Sequence, residues 1–344
     1  MRVATYYNNK DVRIEEVPLP QIGPYELLVK VMACGICGSD CMEWYRKKKA
    51  PLVLGHEACG EIVEVGKNVK QFKTGQRVFV SHHVPCNTCR YCLSGNHTAC
   101  QTLHTTNYFP GGFSEYIRVP AINLEQGTFL LPDEVSYEEG TFIEPLACVV
   151  RGQRMVGLEP NQSVLIIGCG ISGFLHLLLA KAMGVKQIIV SDINEYRLKV
   201  AKELKAQAVI NAREDLPAQL RKVNEDRLAD LVIVCTTALS AFQQALQCID
   251  RAGTILCFAP TEPGVNLCLP INEFWRQSIK IIHSYGNSPQ DAKEAIQLLT
   301  SGKIPVKKLI THRLGLEQTN LGFQLVAEAK ECIKVIIFPT PSLS

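Results

Sequence analysis

The sequence has no hydrophobic run long enough to cross a membrane, and it has no large excess of either charge. Its most hydrophobic stretch, residues 164–180, contains three glycines, a serine and a histidine, which favours a buried strand and helix over a membrane span. Its 36 basic and 33 acidic residues leave a net charge of +3, too little for a general attraction to nucleic acid or anionic lipid. The first residues, MRVATYY, lack the apolar core of a secretory signal. These absences predict a cytoplasmic protein without nucleic-acid or membrane partners.

Cysteine, by contrast, is abundant. The 344 residues include 15 cysteines, and because cytoplasmic thiols stay reduced, metal binding or catalysis explains them better than disulfides do. A chain of this length also favours two domains over one. The one dense basic run, residues 46–49, is interpreted as a solvated loop.

The hydrophobic pattern changes near residue 150, which predicts two domains of different architecture. Before that point, short strands interrupted by glycine and proline are typical of a β-barrel-like domain. After it, buried strands alternate with helices, as in βαβ units around a parallel sheet. The tail is too short for a third domain and is expected to return to the first. The predicted strands are 27–33, 61–65, 77–80, 113–119, 163–168, 187–192, 231–235, 253–259, 279–284 and 333–338, and the predicted helices are 171–184, 194–206, 239–250 and 317–329.

The hexapeptide GCGISG forms a G-x-G-x-x-G pattern between a predicted buried strand and a predicted helix. In that context Gly168 permits a tight turn, Gly170 lets the backbone approach a pyrophosphate, and Gly173 lets helix and strand pack closely. The helix begins at Ile171 and Ser172, and free N–H groups at such a helix start attract phosphates. The pattern therefore predicts a dinucleotide site.

Two charged residues refine the expected cofactor. Asp192 ends the next predicted strand, 19 residues beyond Gly173. A carboxylate there can bind the ribose 2′-hydroxyl and would repel a 2′-phosphate, which favours NAD over NADP. Arg197 is a candidate to stack on adenine, and an arginine on the helix surface is an equally good explanation for it.

Four cysteines lie close together in the segment CNTCRYCLSGNHTAC. The spacing C-x2-C-x2-C-x7-C is typical of structural zinc, whose four thiolates close the metal shell and leave no position for substrate. Two disulfides or four unrelated thiols are the alternatives. The expected ligands are Cys86, Cys89, Cys92 and Cys100.

A second, mixed set of candidate ligands is spread more widely along the chain. Cys37, His56 and Glu57 are its early members, and Glu144 follows. Three protein ligands of mixed type leave zinc a fourth position for water or substrate, which is the arrangement of a catalytic site. Either carboxylate is a candidate ligand, and Cys148 is a further one.

In chain order these motifs resemble those of the zinc-dependent medium-chain alcohol dehydrogenases, most closely the sorbitol or polyol and threonine dehydrogenase branch. The similarity extends over essentially the whole chain. It implies a mixed α/β fold with a GroES-like β-barrel catalytic domain, residues 1–148 and 286–344, and a Rossmann NAD-binding domain with a doubly wound parallel sheet, residues 149–285. The matching motifs are GICGSD (35–40), LGHE (54–57), the four-cysteine loop (86–100), GGFSEY (111–116), IEPLAC (143–148) and GCGISG (168–173).

The resemblance also implies roles for single residues near a catalytic zinc. Cys37 and His56 would bind the metal, with Glu57 or Glu144 as the acidic ligand, directly or through water. Ser39 would take the proton of the substrate hydroxyl.

The resemblance also bears on two residues that follow Ser39 in the chain. Asp40 would orient the ligating histidine. Met42 departs from the family pattern, because many relatives have a histidine there that carries the proton to solvent and a thioether cannot transfer protons. The relay beyond Ser39 is therefore not assigned.

The implied activity is oxidation of a secondary alcohol, polyol- or sorbitol-like, to a ketone by hydride transfer to NAD, with one catalytic and one structural zinc per chain. L-threonine or a cyclitol is an alternative substrate. A non-catalytic nucleotide-binding sensor on the same fold and a zinc-ribbon nucleic-acid module are alternatives from other classes. Relatives are commonly dimers or tetramers, so a homo-oligomer is expected. The polar residues that are candidates to face a polyol are Ser81, His82, His83, Tyr108 and Glu115.

Overall fold

The computed structural model describes residues 1–340. Its strands are β1 (Arg2–Asn8), β2 (Asp11–Glu16), β3 (Leu27–Gly35), β4 (Leu52–Val53), β5 (Glu57–Val65), β6 (Arg77–Ser81), β7 (Tyr116–Val119), β8 (Thr128–Leu130), β9 (Ser163–Ile167), β10 (Gln187–Asp192), β11 (Ala208–Asn211), β12 (Ala229–Val234), β13 (Ile249–Cys257), β14 (Lys280–His283), β15 (Ile310–Gly315) and β16 (Lys334–Phe338). Its α-helices are α1 (Glu43–Arg46), α2 (Arg90–Leu93), α3 (Gln101–Thr105), α4 (Ala121–Gly127), α5 (Tyr137–Gly140), α6 (Ile143–Val156), α7 (Ile171–Ala182), α8 (Glu195–Glu203), α9 (Leu216–Val223), α10 (Leu239–Cys248), α11 (Ile271–Gln277), α12 (Pro289–Thr300) and α13 (Thr319–Glu328).

One compact unit combines Met1–Ala147 with the segment that begins at Asn287. Its main sheet has the order β15-β16-β3-β5-β6-β8, with β7 also paired to β3, and a smaller sheet has the order β2-β1-β4. Alternate residues of β3, Leu27, Val29 and Val31, belong to the hydrophobic core, as the two-residue period of a strand requires. Because β16 pairs antiparallel with β3, the C-terminal tail completes a sheet that the N-terminal part begins.

The other compact unit, Cys148–Gly286, is built on a six-stranded parallel sheet. Its strand order is β11-β10-β9-β12-β13-β14, so successive strands are added on one side of β9 and then on the other. All five residues of β9 are buried, as expected for a strand with helices on both faces. Sheets of this order bind ligands at the carboxyl ends of the strands where the order reverses, and the glycine turn follows β9 at that place.

The mixed α/β fold predicted from the sequence is confirmed, with differences at the ends of elements. α7 ends before residue 184 and α8 before residue 206, because Gly184 and Lys205 have φ angles of +89° and +62°, which a right-handed helix cannot contain. The predicted strand 113–119 begins only at Tyr116. Strands β1, β2 and β11 and helices α6, α9 and α12 were not predicted. Among residues 1–340, no helix is both long and apolar enough to span a membrane.

A histidine lies in the apolar interior of α7. His176 is fully buried, its Nδ1 lies 3.2 Å from Nε2 of Gln153, and its ring meets Phe258 edge-on at 4.5 Å. Burial lowers the pKa of His176 to about 3, because the imidazolium ion is poorly solvated in the core. The folded chain therefore holds this side chain neutral.

The free energy of unfolding is expected to fall as the pH drops from about 6.5 towards 3, because the unfolded chain binds a proton at His176 that the folded chain excludes. At pH 4.5 this one group should cost about 2.7 kcal/mol. The His176→Leu variant removes the titrating group, while Gln153 keeps its bond to the backbone carbonyl of residue 176. Urea unfolding of both proteins from pH 4.5 to 7 should give a flatter profile for the variant, and parallel profiles would contradict this assignment.

Candidate metal centres and nucleotide site

The four cysteines of segment 86–100 surround a common point. The sulfur–sulfur distances are 3.6 Å for Cys86 and Cys100, 4.0 Å for Cys86 and Cys92, and 3.5 Å for Cys89 and Cys92. A tetrahedron of thiolates with metal–sulfur bonds of about 2.3 Å has edges of roughly 3.8 Å. All fifteen cysteines lie within the described residues and are free thiols. The donor set therefore fits zinc and not a pair of disulfides.

The protonation of these thiols also favours a bound cation. Hydrogen bonds from Thr88, with a further one from the backbone N–H of Cys89, lower the pKa of Cys86 to about 5. Burial raises the pKa of Cys92 to about 12, with a contribution from the neighbouring thiols. Thiols packed this closely resist ionising together because like charges repel, and a dication among them removes that penalty.

The second donor group consists of Cys37, His56 and Glu57, whose ligand atoms all lie within 4.8 Å of one another. Cys37 precedes a 3-10 turn that follows β3, and His56 lies immediately before β5, which Glu57 begins. Because β3 and β5 are paired with Gly35 opposite Glu57, the ends of two neighbouring strands bring the three side chains together.

One carboxylate oxygen in this group lacks a protein partner. Glu57 and Lys334 are both fully buried, and the ammonium group of Lys334 donates to Oε2 of Glu57 and, at 3.3 Å, to the carbonyl oxygen of Ile36. Within residues 1–340, the buried Oε1 of Glu57 has no hydrogen-bond partner. Burial of a charged oxygen without a partner costs free energy, and a bound cation would remove that cost. A sulfur, an imidazole and this carboxylate form a mixed set that zinc accepts.

Lys334 is a member of this group that the motifs did not predict. It is the only charged residue of the β16 segment KVIIF, and a lone charge in an apolar strand was the signal for a buried acidic partner. Gly35 belongs to the same arrangement, because a Cβ there would lie 2.1 Å from Oε2 of Glu57 and 2.7 Å from Nζ of Lys334. Only glycine leaves room for this ion pair.

Ser39 and Asp40 contact the mixed group directly. Oγ of Ser39 donates to Sγ of Cys37 at 3.4 Å, and Oδ1 of Asp40 lies 3.2 Å from Nδ1 of His56. Burial would raise the pKa of Asp40, but the neighbouring His56 and Arg46 outweigh it and lower the pKa below its usual value. The ionised carboxylate is thus placed to fix the orientation of the His56 ring.

The structure does not bring every predicted ligand into the mixed group. Glu144, in α6, is outside it, and its Oε1 accepts a hydrogen bond of 3.3 Å from Nδ2 of Asn287. Cys148, one turn further along α6, belongs to the other compact unit and stays a candidate ligand from the sequence. Of the two carboxylates that the sequence left open, Glu57 is the one that lies, among the residues described, within 4.8 Å of the ligand atoms of Cys37 and His56.

The candidate polyol-facing residues divide into two sets. Tyr108 is buried and donates to the carbonyl oxygen of Gly55 at 3.2 Å. Glu115 forms an ion pair with Arg2. The Ser81 hydroxyl donates to a backbone carbonyl at 3.0 Å. These three side chains are therefore used in contacts within the protein.

The two histidines that follow residue 81 lie beside the mixed group instead. The ring centroids of His56 and His82 are 4.8 Å apart, and those of His82 and His83 are 3.9 Å apart. The sequence gave His82 and His83 only as candidates to face a polyol and did not predict where they lie.

The interpretation of residues 46–49 as a solvated loop is wrong for Arg46. Lys47, Lys48 and Lys49 are exposed, but the side chain of Arg46 is only 15% exposed. Its Nε and Nη2 donate to the carbonyl oxygen and to Oγ of Ser39, at 3.0 and 3.3 Å. The single turn of α1 directs its last residue back to the 3-10 turn that carries Ser39.

The glycine turn after β9 has the geometry that its pattern predicts. Gly168 has a φ of +98°, and Gly170 caps α7, which begins with Ile171 and Ser172. A Cβ at Gly173 would lie 2.0 Å from the carbonyl oxygen of Gly168, so the close approach of helix and strand requires glycine. A Cβ at Gly170 would meet nothing nearer than 4.0 Å, which leaves space for a ligand at the helix N-terminus.

Asp192 ends β10 beside this turn. Its Oδ2 accepts from the backbone N–H of Cys169 at 2.6 Å, and its Oδ1 accepts from that of Asn194 at 2.8 Å. Nη1 of Arg197 lies 3.9 Å from Oδ2 of Asp192 and 4.0 Å from the Cβ position of Gly170. Arg197 therefore lies against the turn and is not a residue of the open helix surface.

These features define a class of protein: an enzyme that combines a zinc-binding β domain with a dinucleotide-binding parallel sheet. Residues 23–132 match the family model of the alcohol dehydrogenase GroES-like domain, and residues 173–301 match that of the zinc-binding dehydrogenases. Sorbitol dehydrogenase of Bacillus subtilis is 34% identical over 98% of this chain and 97% of its own length. L-threonine 3-dehydrogenase of a Chelativorans species is 34% identical over 90% of each chain.

A solved structure agrees with the sequence relatives. An alcohol dehydrogenase of Escherichia coli CFT073, complexed with NADH, is 28% identical and superimposes with a TM-score of 0.87 over 98% of this chain and 99% of that chain. The chain therefore belongs to the zinc-dependent medium-chain dehydrogenase family, as its motifs predicted, and it is a zinc-binding oxidoreductase that acts on a small-molecule alcohol.

Proposed function

We propose that the protein oxidises a secondary alcohol of the polyol or sorbitol type to a ketone by hydride transfer to NAD, with catalytic zinc at Cys37, His56 and Glu57. The observation that carries the proposal is the Ser39 hydroxyl, 3.4 Å from Sγ of Cys37, at the edge of a mixed donor group with an unsatisfied oxygen. Sorbitol and L-threonine, which name two relatives, are both alcohols that carry a polar group on the neighbouring carbon.

Each residue near the group has a proposed part in the reaction. Zinc, when bound, supplies a positive charge that polarises the alcohol oxygen and eases loss of its proton. Ser39 accepts that proton, because its Oγ lies beside the ligand Cys37. Asp40 holds Nδ1 of His56 and so leaves Nε2 of the ring for the metal.

Glu57 and Glu144 have different proposed roles. Lys334 holds one oxygen of Glu57 and leaves the other for the metal. Glu144, held by Asn287, is proposed as the second acidic residue of the site, acting on substrate or through water. The relay that would replace the family histidine at Met42 stays unassigned.

The cofactors follow from the other two sites. A second zinc at Cys86, Cys89, Cys92 and Cys100 has a structural role. NAD is proposed to bind the domain of residues 149–285, with its pyrophosphate at the glycine turn and its adenosine ribose at Asp192. Residues 1–148 and 286–344 are then the proposed catalytic domain, of which 341–344 lie outside the described residues.

Replacement of Asp192 by asparagine is expected to lower the ratio of kcat/KM with NAD to that with NADP by about tenfold or more, because the charge that repels a 2′-phosphate is lost. Asparagine keeps an acceptor for the N–H of Cys169, so the turn should stay intact, whereas Asp192→Ala should also weaken NAD binding. Steady-state kinetics with both cofactors measure the ratio, and a ratio unchanged in both variants would refute the assignment.

L-threonine and a cyclitol are the alternative substrates, and a nucleotide sensor is the alternative without catalysis. NADH formation by purified protein against sugar alcohols, inositols, threonine and simple alcohols separates these candidates. Tight NADH binding without turnover of any of them would favour the sensor. Mass spectrometry of the native protein should count two zinc ions per chain.

Assembly and location complete the proposal. A homo-oligomer, a dimer or a tetramer, is proposed from the resemblance, and light scattering of the purified protein measures it. Cytoplasmic location is proposed because thiolate ligands of zinc must stay reduced, and the cytoplasm keeps thiols reduced.

A further inference from the structure

A positively charged cluster adjoins the Ser39 hydroxyl, and no step of the proposed reaction uses it. Arg46 and Lys49, with His82 and His83 near them, form this basic cluster. One edge of the Arg46 guanidinium is held by Ser39, through Nε at 3.0 Å and Nη2 at 3.3 Å. Within residues 1–340, Nη1 of Arg46 has no hydrogen-bond or ion-pair partner, so two N–H donors of a mostly buried cation remain available.

The acidic neighbour of Arg46 does not neutralise it. Oδ1 of Asp40 lies 3.4 Å from Nη2 of Arg46. The same carboxylate also lies 3.2 Å from Nδ1 of His56 and accepts from the N–H of Cys37 at 3.1 Å. Asp40 interacts with three donors at once, so its negative charge only partly offsets that of Arg46. Positive potential therefore remains at Nη1 of the Arg46 guanidinium.

The second cation of the cluster is held near the first by an aromatic ring. Nζ of Lys49 lies 4.6 Å from the ring centroid of Tyr45, and the guanidinium carbon of Arg46 lies 4.7 Å from the same centroid. Among the described residues, Lys49 forms no ion pair. Two cations on one ring repel each other, and an anion bound to both relieves that repulsion.

The histidines add hydrogen-bonding groups to the cluster. Nδ1 of His82 is buried and has no partner in the part of the chain that the structure describes. The ring of His83 lies against that of His82, with 3.9 Å between the two centroids. An imidazole N–H can donate a hydrogen bond to an anion.

We propose that the basic cluster binds an anionic oxygen group of the substrate, a carboxylate or a phosphate, on a carbon close to the hydroxyl that reacts. This inference rests on the proposed function, because it specifies the substrate class of the same site. Arg46 is the anchor, since its planar N–H groups match the paired oxygens of either anion. Because Arg46 also contacts Oγ of Ser39, only a few bonds separate the bound anion from the reacting hydroxyl.

The test compares substrates that share a carbon skeleton and differ in charge. The pairs are glycerol with glycerol 3-phosphate, whose one secondary hydroxyl is next to the carbon that carries the phosphate, and L-threonine with L-threonine amide. We expect the holoenzyme to prefer, in one pair, the member that carries the anionic group by about 10- to 100-fold in kcat/KM, and the pair that shows the preference identifies phosphate or carboxylate. Arg46→Gln should abolish most of this preference through a higher KM, and Lys49→Gln should reduce it several-fold. Lys48→Gln, which removes an exposed charge of the same run, is the matched control and should behave as wild type.

Equal kcat/KM within both pairs, or a preference in both pairs for the member without the anionic group, overturns the inference, as does an anion preference that Arg46→Gln and Lys49→Gln both retain. If no member of either pair yields NADH and the wider alcohol panel is also inactive, the proposed function fails, and calorimetry then decides the inference separately. Inorganic phosphate or malonate should bind the wild-type holoenzyme at least about tenfold more tightly than either variant. Equal binding by all three proteins, or no binding by wild type, would overturn it.

Discussion

Replacement of Cys37 by serine, or of His56 by alanine, is expected to lower kcat by about 10³-fold or more. The two side chains and Glu57 are the whole mixed donor group, and two remaining donors do not hold zinc in a defined geometry. NADH binding should stay close to wild type, because the glycine turn and Asp192 do not depend on this group. The measurements are steady-state turnover, titration with NADH and the zinc count, which should fall from two per chain to one.

Two outcomes would contradict this prediction. Near-normal turnover by either variant in metal-free buffer would exclude a zinc-dependent reaction. Loss of the same zinc in Cys148→Ser would show that Cys148, the alternative ligand from the sequence, completes the site. Cys268→Ser removes an exposed thiol outside both donor groups, so it should keep full turnover and both metals.

Replacement of Cys100 by serine is expected to lower the free energy of unfolding by about 4 kcal/mol or more, since loss of a structural metal is among the largest effects of single substitutions. Cys100 is almost fully buried and packs with Cys92 and Leu103 in a small satellite core. Without the metal, three crowded thiols and an irregular loop have little else to order them. Urea unfolding measures the loss, and the zinc count should again fall by one.

The same exposed-thiol control, Cys268→Ser, should unfold like wild type. A chelator should lower the free energy of unfolding of wild type and of Cys268→Ser by similar amounts. It should lower that of Cys100→Ser by less, because this variant has already lost the zinc of the cysteine loop. Equal stability of Cys100→Ser and wild type, with two zinc ions still bound, would show that the four thiols are not a zinc site.

Candidate site residues that lie close together in the chain have the arrangement that their spacing predicts, because local spacing determines their geometry, and their roles stay predictions. The glycine turn and the four-cysteine loop each occupy one short segment, and the structure shows in both the arrangement that the spacing indicates. Turn conformation, helix start and sulfur separation are set by a few consecutive backbone angles. The end of α8 was missed because a positive φ at Lys205 leaves no clear sequence signal, whereas Gly184 after α7 was such a signal.

Contacts between residues from distant segments were predicted less well. The pairing of Glu57 with Lys334 joins positions 277 residues apart, and it exists only because β16 returns to the sheet of β3 and β5. The choice between Glu57 and Glu144 depended on the same sheet register. The contact of Arg46 with Ser39 spans only seven residues, but it required the single turn of α1 within a run that composition alone marks as solvated.

The order of hydrophobic and glycine-bearing segments was enough to establish two domains, a parallel dinucleotide-binding sheet, and the types of ligand available to two metal ions. These properties depend on hydrophobic periodicity and on the types of donor side chain, and both can be recognised within short segments of the sequence. Three-dimensional packing alone determined which carboxylate meets Cys37 and His56, which buried cation balances it, and that Arg46 faces Ser39. Such contacts depend on strand register and on the burial of charge, and both are set by segments far apart in the chain.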